Sequence, residues 1–392
     1  MNARRQQVTL QPIVLRWARE RAAYEETEIA KKLGVKRERV VEWEESGKIS
    51  LAQIDNLAHH TYTPLGLLYL STPPINLDEL TIPDFRTRDG RASPNPSPNL
   101  LETVHTMQRR QSWMREELLQ DGIEALPFVG SFNLENRPDE VARAMKGALN
   151  LSGNWAAEHR NWEDALRYLV KCFESAGVLT MFNGVVGNNT HRKLKPKEFQ
   201  GFALVDKYAP LVFVNGADYK AAQMFTVAHE LAHIFIAESG LSKFKNLRSV
   251  ENEIERFCDQ VAAEFLVPRA ELGVSLDGGL GFSEQCQKIA GHFKVSTIVA
   301  ARRMLDVGSI NLDTFFNLYN EWKIETDRHK KQMGGGNFWN TQNVRIGHPL
   351  GVAIWRAVSE GRLFYRDAYS LTGLKGKTFD KFMSNMDMRE QE

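Results

Sequence analysis

The feature that most narrows what this chain can be is the hexapeptide Ala228-His229-Glu230-Leu231-Ala232-His233. In an α-helix, side chains four residues apart stand one above the other on one face, about 6 Å apart along the axis. Two imidazoles so placed suit two bonds to one zinc ion, and Glu230 is left over to act as a general base. With ten histidines among 392 residues, chance supplies about 0.02 such patterns. A pair of ordinary surface histidines fits poorly. Phe225, Val227, Leu231, Ile234, Phe235 and Ile236 make this segment apolar nearly all round, and histidines in such a helix need partners in the core.

The third ligand has to come from another segment, and the helical pattern over 250–267 offers several carboxylates. On a helical wheel Glu255 and Asp259 border the apolar stripe of Ile254, Cys258, Val261 and Phe265, whereas Glu253 and Glu264 fall on the solvent side. A carboxylate at the edge of a buried face needs a cation or a donor. Glu255 is therefore assigned as the ligand, and Asp259 as the acceptor for the far N–H of a zinc-bound imidazole. Glu251 is the second choice of ligand. Cys258 reads as a small packed hydrophobe rather than a ligand, and Ala262 and Ala263 are small enough to let two helices approach.

His229-Glu230-x-x-His233, Glu255-x-x-x-Asp259 and the run Ala262-Ala263-Glu264-Phe265-Leu266-Val267-Pro268 together resemble the ImmA/IrrE family of metallopeptidases over about residues 150 to 310. The resemblance implies a gluzincin plan, an α+β zincin-like core in which a downstream Glu on a second helix completes the site. It also implies cleavage of a repressor or antitoxin at one bond rather than general digestion. Cys258-Asp259 departs from the family's commoner Ala-Asn pair, and Asp remains a good acceptor. Three protein ligands leave one zinc position for water, whose proton Glu230 takes. His292 and Arg256 are candidate donors to the oxyanion. Pro210-Leu211-Val212-Phe213-Val214 reads either as an edge strand to which an extended substrate adds or as an internal core strand.

A second motif lies near the N-terminus. In Thr27 to Trp43, Ala30 sits where two helices would cross, Gly34 suits a left-handed turn, and Val40 would pack the second helix back. This spacing resembles the helix-turn-helix of the phage-repressor (XRE) family over about residues 13 to 70. Such a domain would place Lys36, Arg37 and Arg39 against the bases and phosphates of an operator. Residues 1 to 48 hold 11 Lys/Arg against 8 Asp/Glu, mildly basic for a DNA reader, and Glu38, Glu42, Glu44 and Glu45 crowd the second helix. A helix-turn-helix kept for dimerisation or protein contact is the alternative.

The rest of the chain bounds this reading. A net charge of +1 excludes a globally basic nucleic-acid coat, and no apolar run is long enough for a bilayer span. Three scattered cysteines and no leader-like start fit reduced thiols in a cytoplasm. Punctuation falls at Ser93 to Pro98, Gly184 to Lys197 and Gly334 to Gly336, with short β-prone runs at Val178 to Phe182, Gly201 to Val205 and Leu211 to Val214.

The expected chain is multidomain and mostly α. An all-α helix-turn-helix domain (1–75) is followed by a linker and long helix (76–125) and an α+β peptidase domain (126–333). That domain ends in a second helix-turn-helix-like segment (282–305), and a small helical module (334–392) closes the chain. The expected function is a DNA-binding regulator whose zinc endopeptidase cuts a repressor-like or antitoxin-like partner, with a toxin contact and a homodimer as further possibilities. The alternative is a transcription factor or antitoxin whose zinc is structural or sensory.

Overall fold

The structure is a computed structural model that describes residues 7–22, 24–74, 96–218, 220–240, 251–275, 280–318, 322 and 338–390. Of the punctuation zones, residues 93–95 and Gly334 to Gly336 lie outside these. The fold is mostly helical with a small sheet region, and none of its described helices is long and apolar enough to cross a membrane. Backbone proximity divides the chain into two compact units, residues 1–83 with 92–105, and residues 84–91 with 106–392.

The first unit is built on α1 (Pro12–Arg21), α2 (Glu26–Leu33), α3 (Arg37–Ser46) and α4 (Leu51–Thr61). Ile29, Ala30, Leu33, Val40, Trp43 and Ile54 close its core. Gly34 takes the left-handed conformation at φ 67° that ends α2, a region other residues enter at a cost. The unit is not all-α. β1 (Gln7–Thr9) pairs antiparallel with β2 (Lys48–Ser50), and strands of three residues are too short to show a period-two pattern in sequence.

In the second unit, β3 (Leu179–Asn183), β6 (Gly201–Leu204) and β7 (Leu211–Asn215) form one sheet in the order β3-β7-β6. β3 runs parallel to β7, and β6 antiparallel to it. Every residue of β7 is buried and it pairs on both sides, so the run at 210–214 is the internal strand, and β3 and β6 are the edges. Between β3 and β6 in sequence, β4 (Val185–Val186) and β5 (Asn189–Lys193) make a separate antiparallel hairpin where sequence showed only turn residues.

The long helix α5 (Pro98–Gln120) begins in residues grouped with the first unit and ends in the second. α6 (Pro138–Ala148) and α7 (Trp162–Ser175) precede the sheet, and α7 opens on Asn161, whose side chain accepts the Asp164 N–H at 2.9 Å. The two long helices of the expected site follow, α8 (Lys220–Gly240) and α9 (Glu251–Leu266), packed against each other, α8 also lying on β6 and β7. Val227, Leu231, Ile234 and Phe235 of α8 are buried in one core with Val261, Ala262 and Phe265 of α9. Each large apolar side chain so buried contributes about 1.5–3 kcal/mol, which fixes both helices firmly.

After α10 (Arg269–Ser275), α11 (Phe282–Phe293) and α12 (Thr297–Asp306) form the expected helix pair, with Lys294 left-handed between them and the Ser296 side chain capping α12 at 3.2 Å. The C-terminal helices α13 (Phe338–Ile346), α14 (His348–Ser359), α15 (Tyr365–Thr372) and α16 (Gly376–Glu390) belong to the same compact unit. α13 packs against β3. Buried Arg110 of α5 donates to the carbonyls of Arg345 at 2.7 Å and Leu371 at 2.8 Å, near the C-terminal ends of α13 and α15. Those carbonyls carry the partial negative charge of helix ends, which compensates a buried guanidinium.

Candidate metal centre

α8 contributes His229 and His233 from one face, one turn apart, and α9 brings Glu255 opposite them. Their facing atoms converge. Nε2 of His229 and Nε2 of His233 lie 3.0 Å apart, and the Glu255 carboxylate stands 2.9 Å from His233 Nε2 and 3.3 Å from His229 Nε2. Among the described residues these three form the group able to hold a metal ion, their ligand atoms all within 4.8 Å of one another. The edges of a tetrahedral zinc site with bonds of about 2.1 Å are about 3.4 Å long, so the donors fit that ion with slight contraction. Two imidazoles, a carboxylate and no thiolate are the donor set of an open zinc site rather than a closed structural one.

The partners around this triad make it rigid. Asp259 Oδ1 stands 3.0 Å from Nδ1 of His229, which orients that ring with its other nitrogen toward the centre. Cys258 is fully buried and hydrogen-bonds the side chain of His233. The thiol is packed, as the sequence implied, but it is also a polar partner of a ligand, a role the helical wheel could not reveal. Burial pushes the Glu255 carboxyl up, yet the hydrogen bonds from His229 and His233 prevail and hold it well below the usual carboxylate range. Burial likewise opposes a charge on His233, but the Glu255 carboxylate beside it keeps its pKa well above the ordinary value. The pocket is thus strongly cation-seeking.

Glu230 is 3% exposed and packs against β6. A Cβ built on Gly201 of β6 would stand 3.0 Å from Glu230 Oε1, 2.6 Å from Thr226 Cγ2 and 2.9 Å from the Phe213 carbonyl oxygen. Only glycine lets this strand pass so close to the base. Sequence reading missed Gly201, because nothing in a single chain marks which glycine will meet a helix.

Several expected site residues fall elsewhere. Glu251 opens α9, and its side chain is outside the described set. Glu264, placed on the solvent side by the wheel, is instead largely buried in an ion pair with Arg303 of α12. The wheel registered one apolar stripe and could not show Arg303 reaching Glu264 from α12. Arg256 is exposed on α9, and His292 lines a separate small cavity with Lys146, Trp155 and Glu271.

In the first unit Lys36 caps α3 and is exposed. Arg37 pairs with Glu26 at 2.8 Å and Arg39 with Glu42 at 2.6 Å. Glu44 does not crowd the surface of α3. It is buried against Arg19, with contacts of 2.6 and 2.9 Å, and this bidentate pair ties α1 to α3.

Residues 173–305 match the family model Peptidase M78, described as the IrrE N-terminal-like domain, and residues 346–385 match a domain of unknown function, DUF8813. No curated protein matches the chain. The first match runs from the end of α7 to α12 and so takes in the sheet and the whole triad. About a third of the chain is thus similar to a metallopeptidase domain of the IrrE type.

Proposed function

We propose that this chain is a zinc-dependent endopeptidase that hydrolyses one peptide bond in a repressor-like or antitoxin-like protein, and that its N-terminal helices localise it on DNA. The observation that carries the reading is the convergence of His229, His233 and Glu255 with Glu230 beside them, inside the stretch that matches the IrrE-type domain. His229, His233 and Glu255 would hold the ion. When bound, it supplies Lewis-acid activation of water and of the scissile carbonyl. Glu230, nearly excluded from solvent, takes the proton from the attacking water and returns it to the departing amine. Asp259 and Cys258 keep the two imidazoles in register throughout.

The edge strand β6 supports an extended substrate mode. Asn215 N–H donates to the Gln200 carbonyl, so by the antiparallel alternation Gly201 and Ala203 turn their own N–H and C=O groups away from β7. A substrate strand added there lies alongside Glu230. For the first unit, Lys36, Arg37 and Arg39 reach phosphates only if the latter two release Glu26 and Glu42. Exposed pairs of this kind are worth about 0.2–1 kcal/mol each, a small toll on DNA binding.

The test is co-expression of the wild type and of Glu230→Gln with the proteins encoded beside it, followed by intact-mass analysis. One neighbour cut at a single bond by the wild type alone is expected, both forms carrying equal zinc. Cleavage that persists in Glu230→Gln would refute the mechanism.

A further inference from the structure

The segment that leads into β6 has an unusual charge distribution. From residue 175 to residue 197 the chain contains no Asp or Glu, while Arg192, Lys193, Lys195 and Lys197 fall within its last six positions. Along β5 and the residues after it, Arg192 and Leu194 are buried while His191, Lys193, Lys195 and Lys197 are exposed in alternation. Arg192 and Leu194 anchor the ribbon, and Leu194 N–H donates to the Gly184 carbonyl at 3.0 Å. A turn follows at once, in which the Lys195 carbonyl accepts from Glu198 N–H at 2.9 Å and Phe199 N–H at 3.3 Å. Gln200 then joins the sheet. Lys195 and Lys197 make no ion pair among the described residues, although the chain as a whole carries nearly as many acids as bases. A surface needing only solubility intersperses the two signs.

The position of this ribbon gives it a meaning. It ends four residues before Gly201, the residue against which Glu230 packs. Antiparallel pairing is the more stable way to extend a sheet. A substrate laid antiparallel on β6 runs from the Leu204 end toward the Gly201 end, past Glu230, and onward to the lysines. The part of the substrate that meets them is the part C-terminal to the scissile bond.

We propose that the turn following β5, through Lys195 and Lys197, selects substrates carrying acidic side chains within about four residues on the C-terminal side of the cleaved bond. This rests on the peptidase reading and adds a substrate class to it. Exposed charge pairs are individually modest, so two of them give about a three- to tenfold preference that salt erases.

Two measurements on the full chain test it and separate its failure from that of the peptidase reading. The first is fluorescence-anisotropy binding to the zinc-loaded Glu230→Gln protein of a labelled extended peptide with Glu residues in its C-terminal half. The comparison peptide carries Gln at the same positions. The Glu peptide is expected to bind about three- to tenfold tighter, and the preference to vanish in Lys195→Glu/Lys197→Glu and at high ionic strength. Equal binding of the two peptides overturns the proposal, and so does a preference that survives the double substitution. The second is cleavage profiling of a mixed peptide library by the wild type. Acid enrichment after the cut bond is expected, reversing toward Lys and Arg in the double variant; enrichment only before the bond overturns the assigned direction. Discriminating binding without any cleavage keeps the docking surface and removes the peptidase reading.

Discussion

Replacing Gly201 by alanine tests whether the base is held by the close passage of strand and helix. The new methyl carbon would lie 2.6 Å from Thr226 Cγ2 and 2.9 Å from the Phe213 carbonyl oxygen, whereas carbon atoms prefer about 3.5–4.0 Å. About 1 Å must be recovered somewhere. The Phe213 carbonyl belongs to the central strand and is fixed by pairing on both sides, so α8 has to yield, carrying Glu230 with it. Overpacking of this kind costs about 1–3 kcal/mol, and a shift of about 1 Å in a reacting group costs about a hundredfold in turnover. Urea unfolding followed by tryptophan fluorescence should show the transition of the second unit weakened by that amount. Adding Thr226→Ala removes the shortest contact and should restore half of the loss or more, whereas Thr226→Ala alone should not stabilise. A Gly201→Ala protein as stable as the wild type would refute the packing argument.

Two further outcomes follow from the site and its surroundings. Cys258→Ala should weaken zinc affinity about tenfold, measured by chelator competition, with Cys258→Ser recovering most of it; equal affinity in all three proteins would leave the thiol as packing alone. Burial raises the Glu174 carboxyl to about 7, against the opposing hydrogen bond it accepts from the His348 N–H at 3.1 Å. The unfolded carboxyl ionises near 4.5, so the folded state holds the proton more tightly. The resulting stability is present below that value and is lost as pH rises through 7. Thermal melts across this window should therefore decline for the wild type and flatten in Glu174→Gln, and an unchanged slope in the variant would contradict the burial effect.

Much of the candidate site was legible in the sequence, for a chemical reason. Zinc chemistry demands particular residue types at helical spacing, and His229, His233, Glu255 and Asp259 stand together as that spacing required. The three sheet strands were legible from their β-prone runs, and Gly34 from its place after Leu33. What escaped was long-range. Glu264 faces Arg303 on a helix about forty residues away in sequence, and Glu44 faces Arg19. A wheel drawn for one helix cannot count how many neighbours that helix has. The β4–β5 hairpin hid among turn residues, and the choice between edge and interior for 210–214 depended on where β3 and β6 dock.

The most direct test of the central claim is metal content by mass spectrometry of the purified wild type, Glu255→Ala and Glu251→Ala. The account predicts one zinc per chain in the wild type, retained in Glu251→Ala and lost in Glu255→Ala. A wild type without zinc, or zinc lost with Glu251 rather than Glu255, would contradict it.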